Sequence, residues 1–376
     1  MRTRVAEMLD IEFPILAFSH CRDVVAAVTN AGGFGVLGAV AHSPNGLEVD
    51  LAWLDEHTRG KPYGVDLLLP QRHAGTDATL RPDADTIRQL LPPAQQAFVE
   101  DVLARYGVEP LADAADANVG RMAVTKDGVG ELLDVAFRHP IKLIASALGE
   151  PDEDLVARAH RQGVLVAALA GKAEHARRHQ RMGVDIIVAQ GTEAGGHTGE
   201  ISTMVLVPEI VDAVAPTPVL AAGGIARGRQ VAAALALGAE GVWCGSVWLT
   251  TAEAETDPSV KRKFLAAGSS DTVRSRSMTG KPARMLRSAW TEAWEQPDAP
   301  ATLPMPLQTF LANPAMQRVN RQAGDETSGA NRLATYFVGQ VVGSLNTVNP
   351  ARQVVLDMVE EYIDTVQRLG AHVALG

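Results

Sequence analysis

Cysteine is nearly absent from this chain: Cys21 and Cys244 are the only two in 376 residues. Both sit inside apolar stretches, far apart in sequence, which argues against a disulfide framework and against a cysteine-based metal site. Aromatics are scarce too, at 5%. Small apolar residues carry the bulk instead, as tightly packed α/β layers require. No apolar run reaches the length of a membrane span. No basic run is dense either; Arg177, Arg178 and Arg181 come nearest and read as a solvated helix face. With a formal net charge of −10, the chain has no general attraction for nucleic acid or an anionic membrane. The segment Met1–Glu12 has scattered charges and no apolar centre, so it does not read as a signal peptide. A cytoplasmic enzyme is the expectation.

What is present is enough apolar material, 46% of residues, for a large core. The length suits one large α/β barrel with an insertion, or two average domains. Eight short β-rich runs recur: Phe13–Ser19, Phe34–Ala39, Tyr63–Leu69, Ile141–Ala145, Val164–Leu169, Asp185–Gln190, Pro218–Ala222 and Gly241–Gly245. Each is nearly continuous in apolar character, as a strand buried on both faces should be. Helical segments lie between them, over Asp23–Asn30, Asp152–Gln162, Ala173–Met182 and Arg227–Leu237, each followed closely by glycine. No Gly-x-Gly-x-x-Gly fingerprint follows a first strand, which counts against an open dinucleotide-binding sheet. The pattern predicts a TIM-type (β/α)8 barrel in two parts, residues 1–70 and 131–268. Residues 71–130 form an insertion after the third strand, either a lid or a surface decoration. Its amphipathic helix carries Phe98, Val99, Val102, Leu103 and Tyr106 on one face. Residues 269–376 form an α-rich C-terminal extension. It ends in a helix capped by Asn349 and Pro350 that buries Val355, Met358, Val359, Tyr362 and Val366 and stops at Gly370. That helix has two candidate docking places, its own barrel or a partner's in a homodimer.

Barrel sites lie at the C-terminal ends of the strands, with phosphate often bound after the seventh and eighth. The seventh barrel strand ends in Gly223-Gly224 and the eighth in Gly245-Ser246. Glycine there lets a phosphate approach backbone N–H groups, and Ser246 adds a hydroxyl donor. Either pair alone also reads as a tight strand-to-helix turn; the two in order favour phosphate. The sixth strand ends at Gln190 and runs into a loop carrying Gly191, Gly195, Gly196, His197 and Gly199. Gln190 reads as a hydrogen-bond partner for a heterocycle edge or as a satisfied core amide. Glu193 reads as a loop or salt-bridge residue. His175 lies in the first turn of the helix after the fifth strand. A helix N-terminus disfavours the imidazolium, so His175 reads as a neutral base or as a capping or solvated residue. His197 reads as a substrate contact or as a brace for phosphate and loop. His160 and His179 read as solvated helix positions.

At these segments the chain resembles the nitronate monooxygenase family, formerly called 2-nitropropane dioxygenases. The resemblance rests on Phe13-Pro14-Ile15-Leu16, Asn30–Gly35, Gly64–Leu67, the Gln190–Gly199 loop, Gly223-Gly224 and Gly245-Ser246. It extends to Thr279–Arg284, which looks like a Gly-Arg/Lys-Pro-Ala-Arg segment. The resemblance implies FMN bound non-covalently in a TIM-like barrel. Backbone at Ala17, Phe18 and Ser19 would approach the isoalloxazine, near Asp66, which stands where the family commonly has Asn. Gly195, Gly196, Gly223, Gly224, Gly245 and Ser246 would serve the phosphate end. His175 matches a histidine that serves as a base.

The leading expectation is therefore an FMN-dependent oxidoreductase that oxidises alkyl nitronates with dioxygen, with His175 and His197 as catalytic residues. A second reading reverses the electron source: NAD(P)H reduces the flavin, and a quinone or enoyl/acyl-CoA substrate reoxidises it. A third is a flavin-binding protein without turnover.

Overall fold

The computed structural model describes residues 1–67, 89–110, 126–146 and 149–372. All eight predicted strands form. They are β1 (Ile15–Ser19), β2 (Phe34–Gly38), β3 (Gly64–Leu67), β4 (Leu143–Ser146), β5 (Leu165–Ala170), β6 (Ile186–Gln190), β8 (Val219–Ala222) and β9 (Val242–Cys244). Each pairs in parallel with the next, and β1 pairs with β9 to close the barrel. The fold is a TIM-type barrel. Three shorter strands, β7 (Gly196–His197), β10 (Thr272–Ser275) and β11 (Ala283–Leu286), make a separate antiparallel sheet in the order β10-β11-β7.

Alternation along the strands sorts the core into two layers. Leu16, Phe34, Val36, Leu143, Ala145, Ile186, Val188, Leu220 and Trp243 fill the barrel interior. Val5 and Leu9 of the N-terminal helix Arg4–Leu9 join that cluster. The intervening residues, such as Ile15, Leu37, Val65, Ile144 and Ile187, face the outer helices.

The eighth outer helix does not follow the eighth barrel strand directly. The terminal helix Ala351–His372 packs against Gly228–Ala236 on one side and Arg22–Asn30 on the other, and so completes the ring. The approach is backbone-close: a Cβ on Gly228 would lie 2.1 Å from the Met358 carbonyl oxygen. The helix thus docks on its own barrel. Val355, Met358 and Val359 are buried, but Val366 is 45% exposed and the helix runs past Gly370. Thr365 is the last buried residue of this helix, and glycine permits a helix stop without imposing one.

The excursion between β9 and that helix builds a second core. Phe264, Met285, Trp290, Leu311 and Val319 cluster there with Val99, Val102 and Leu103 of the insertion helix Pro93–Arg105. Phe98 and Tyr106 pack partly buried against the same cluster, and Arg318 grips both carboxylate oxygens of Glu100 at 2.7 and 2.9 Å. Residues 71–88 and 111–125 of the insertion, where a lid is expected, lie outside the described residues. Among the described residues, no helix is long and apolar enough to cross a membrane.

Candidate functional site

The glycine turns converge at the C-terminal mouth of the barrel. Gly223 and Gly224 adopt φ of +106° and +71°, a region open to glycine and strained for other residues. A Cβ on Gly223 would lie 2.8 Å from Thr203 Oγ1 and 3.3 Å from the Ala194 nitrogen; one on Gly224 would lie 3.2 Å from Glu193 Cβ. The turn after β8 is therefore pressed against the loop after β6. Gly195 meets a wall that sequence reading did not find: its Cβ would lie 2.8 Å from the Gly339 nitrogen. The Gly339 N–H in turn donates to Ser246 Oγ at 2.8 Å. Segment Val338–Gln340 thus joins the β6 loop to the turn after β9, with Gln340 N–H donating to the Glu193 carbonyl at 2.9 Å.

This arrangement fits a phosphate. Among the described residues, the N–H groups of Gly224, Gly245 and Ser246 donate to no protein acceptor, while that of Gly223 faces the Trp243 carbonyl in the ladder between β8 and β9. A Cβ on Gly196 would meet nothing within 4 Å, and one on Gly245 would meet only Phe18 Cδ1 at 3.9 Å. Ser246 accepts from Gly339 and keeps its own proton to donate. The nearby carboxylate is turned away, since Glu193 accepts from the Thr203 N–H and hydroxyl at 2.9 and 2.8 Å. Arg284, 7% exposed, donates from Nε to the Thr192 carbonyl at 2.8 Å and sets positive charge behind the loop.

The β6 loop is less free than its glycines suggest. Gly196 and His197 form β7, held on β11 in register Arg284↔Gly196 and Ala283↔His197. His197 Nε2 lies 2.9 Å from Thr279 Oγ1. Burial pushes its pKa down to about 4, with Lys281 adding to the fall. His175 stands in the first turn of helix Ala173–Arg181, half-buried. Burial first, then Arg178, lowers its pKa as well. It makes no hydrogen bond to any described residue, and none joins the two histidines. Their segments do touch: a Cβ on Gly199 would lie 3.0 Å from the Gly171 carbonyl oxygen. His179 corrects the sequence reading. It is 3% exposed, with Nε2 3.1 Å from the Leu169 carbonyl, because its face of the helix packs on β5. His160 remains at the surface, paired with Asp185 at 2.9 Å.

At the other end of the cradle, Phe18 stacks on Trp243 at 6.4 Å. Ala17 is fully buried in the ladder between β2 and β9. Ser19 Oγ accepts from the Cys21 N–H at 3.1 Å. Asp66 is buried at the end of β3, 5% exposed. Gln190 is half-buried, and its carboxamide bonds no described residue, so it is not a satisfied core amide.

Tyr336 is a second feature that sequence reading missed. Its ring packs 5.5 Å from Phe337, whose own ring lies 6.5 Å from His197. The phenol keeps 38% of its surface exposed, yet burial raises its pKa. Gly339-Gln340 was the one available signal for this segment, and it is a weak one.

The model of the family described as nitronate monooxygenase matches residues 2–361. A protein of Mycobacterium tuberculosis named "Putative monooxygenase Rv1533" is 67% identical over 370 residues, 98% of each chain. Among solved structures, a nitroalkane oxidase from Streptomyces ansochromogenes is 28% identical, with a TM-score of 0.79 over 97% of this chain and 99% of that one. FabK from Thermotoga maritima is also 28% identical, with a TM-score of 0.72 over 99% of both.

Proposed function

Since the chain belongs to the nitronate monooxygenase family, and is thus a flavin-dependent oxidoreductase, we propose that its flavin is FMN and that it oxidises alkyl nitronates with dioxygen. The observation that carries the cofactor is the set of undonated N–H groups at Gly224, Gly245 and Ser246 around the open faces of Gly196 and Gly245. A cradle that ends in a monophosphate needs this and no more. Bound FMN would accept the electrons taken from the substrate and pass them to dioxygen.

The protein's own contributions are binding, orientation and proton handling. Gly195, Gly196, Gly223, Gly224, Gly245 and Ser246 hold the phosphate. Ala17, Phe18 and Ser19 with Asp66 and Gln190 border the ring system. Of the two histidines, His197 is the better oriented for chemistry. The Thr279 hydroxyl lies 3.1 Å from the Lys281 carbonyl, to which it can donate. The Nε2 proton of His197 then goes to Thr279, leaving Nδ1 as the acceptor. Its pKa near 4 keeps the ring neutral at pH 7. His175 is the second candidate base, neutral for the same reason but with nothing to fix its ring. We place the enzyme in the cytoplasm, acting on a small molecule.

A second reading is supported by the equal identity to FabK: NAD(P)H as electron donor, with an enoyl or quinone substrate. The test is oxygen uptake by the flavin-loaded protein with ethylnitronate. Turnover supports the first reading. Uptake with NADPH and none with ethylnitronate supports the second.

A further inference from the structure

One side chain at the mouth of the barrel has no place in the reading above. His20 follows Ser19 at the end of β1. Its Nδ1 lies 2.9 Å from the Gly38 carbonyl oxygen. A carbonyl can only accept, so the neutral ring carries its proton on Nδ1, and Nε2 holds a bare lone pair. Nε2 bonds no described residue. The ring is pinned on two more sides. Phe18 meets it edge-on at 5.1 Å and 78°. At the end of β2, a Cβ on Gly38 would lie 2.6 Å from His20 Nδ1 and 2.9 Å from Phe18 Cε2, so only glycine leaves the ring room.

His20 stands exposed at the C-terminal end of β1, next to Ser19. Its ring keeps exposed surface, yet burial first, and then His42, lowers its pKa. His42 is itself tied to Asp50 at 2.9 Å, and Asp50 to Arg22 at 2.9 Å, so no lone charge faces His20 from that side. Phe18 also borders the cradle, since a Cβ on Gly245 would lie 3.9 Å from its Cδ1.

We propose that His20 determines specificity: its Nε2 accepts a hydrogen bond from a hydroxyl or N–H group of the substrate, favouring substrates with such a donor near the reacting carbon over purely alkyl ones. The proposal rests on the nitronate reading. A lone pair repels nitro oxygens, so His20 addresses the rest of the substrate.

The probes are 2-nitroethanol and 1-nitropropane, which differ by a hydroxyl in place of a methyl. Both are compared on flavin-loaded wild type, His20→Phe and Gly38→Ala. Two readouts are taken: kcat/KM on the nitronates, and anaerobic dissociation constants from flavin difference spectra. Gly38→Ala keeps the imidazole and moves it. The preference for 2-nitroethanol should fall about tenfold in both variants, as the loss of one hydrogen bond predicts, with flavin content and spectrum unchanged in His20→Phe. An unaltered preference overturns the proposal. So does a shifted flavin spectrum or affinity in His20→Phe, which makes His20 a cofactor contact. Binding without oxidation in the wild type contradicts the nitronate reading alone, because the binding ratio still reports on His20. Binding of neither compound overturns both.

Discussion

The two ends of this site are made of different materials. The proposed phosphate end is backbone: added Cβ atoms at Gly195 and Gly223 would strike neighbouring main chain or Thr203, while Gly196 and Gly245 keep open faces. The proposed substrate end is side chain, with His197, Tyr336 and His20 on three separate segments. A backbone cradle tolerates almost no substitution and fixes what is bound. A wall of side chains can be exchanged residue by residue and decides what reacts. A shared cradle with a variable wall is one way for a single fold to serve several chemistries.

The sharpest way to break this contrast is to fill the cradle. Gly223→Val puts a β-branched residue at φ +106° against Thr203 and the β6 loop. Strain of roughly 1–3 kcal/mol plus blocked N–H groups should weaken FMN binding by at least about a hundredfold, measured by flavin fluorescence titration. Flavin retention at wild-type affinity would remove the cradle from the account.

A change at the substrate end should spare the cofactor. His197→Asn should bind FMN normally and lose about a hundredfold in kcat/KM, within the range for one acid–base group. His175→Ala should lose less. The reverse order in steady-state assays would move the base to His175.

The acid limb of stability sharpens the same contrast. His197 titrates near pH 4 in the folded protein and near 6.5 when unfolded. Between those values the unfolded chain takes up a proton that the folded one refuses, so stability falls as pH drops from 6.5 toward 4. Thermal melts across that window should show a shallower fall in His197→Asn than in wild type.

A smaller effect is expected behind the site. Lys263 donates to the carbonyls of Asn331 and Ala334, at 2.8 Å for the first, and burial lowers its pKa to about 8. Lys263→Met should loosen the segment leading to Tyr336, costing about 1–2 kcal/mol in denaturant melts, with FMN affinity preserved.

The backbone end was legible because its determinants are written as glycines at the ends of predictable strands. Gly223-Gly224 and Gly245-Ser246 follow apolar runs whose order alone places them on one face. The side-chain end was not, because its parts come from distant segments. Tyr336 reaches the site only because the excursion after β9 folds back, and that excursion carries no strong periodicity. His179 was misread because the helical repeat marks faces without saying which neighbour covers them; β5 does. The terminal helix was visible as amphipathic, but its role as the eighth barrel helix depends on Gly228 admitting the Met358 carbonyl. Val366 was assigned to its buried face, but its neighbour Thr365 takes that place and Val366 is exposed.

Whether this site takes electrons from a nitronate is decided by anaerobic titration of the FMN-loaded protein with ethylnitronate, and in parallel with NADH and NADPH. Ethylnitronate should bleach the visible flavin absorbance within the time of one turnover, while the nicotinamides leave it intact. Rapid bleaching by either nicotinamide, with no response to ethylnitronate, would contradict the nitronate reading.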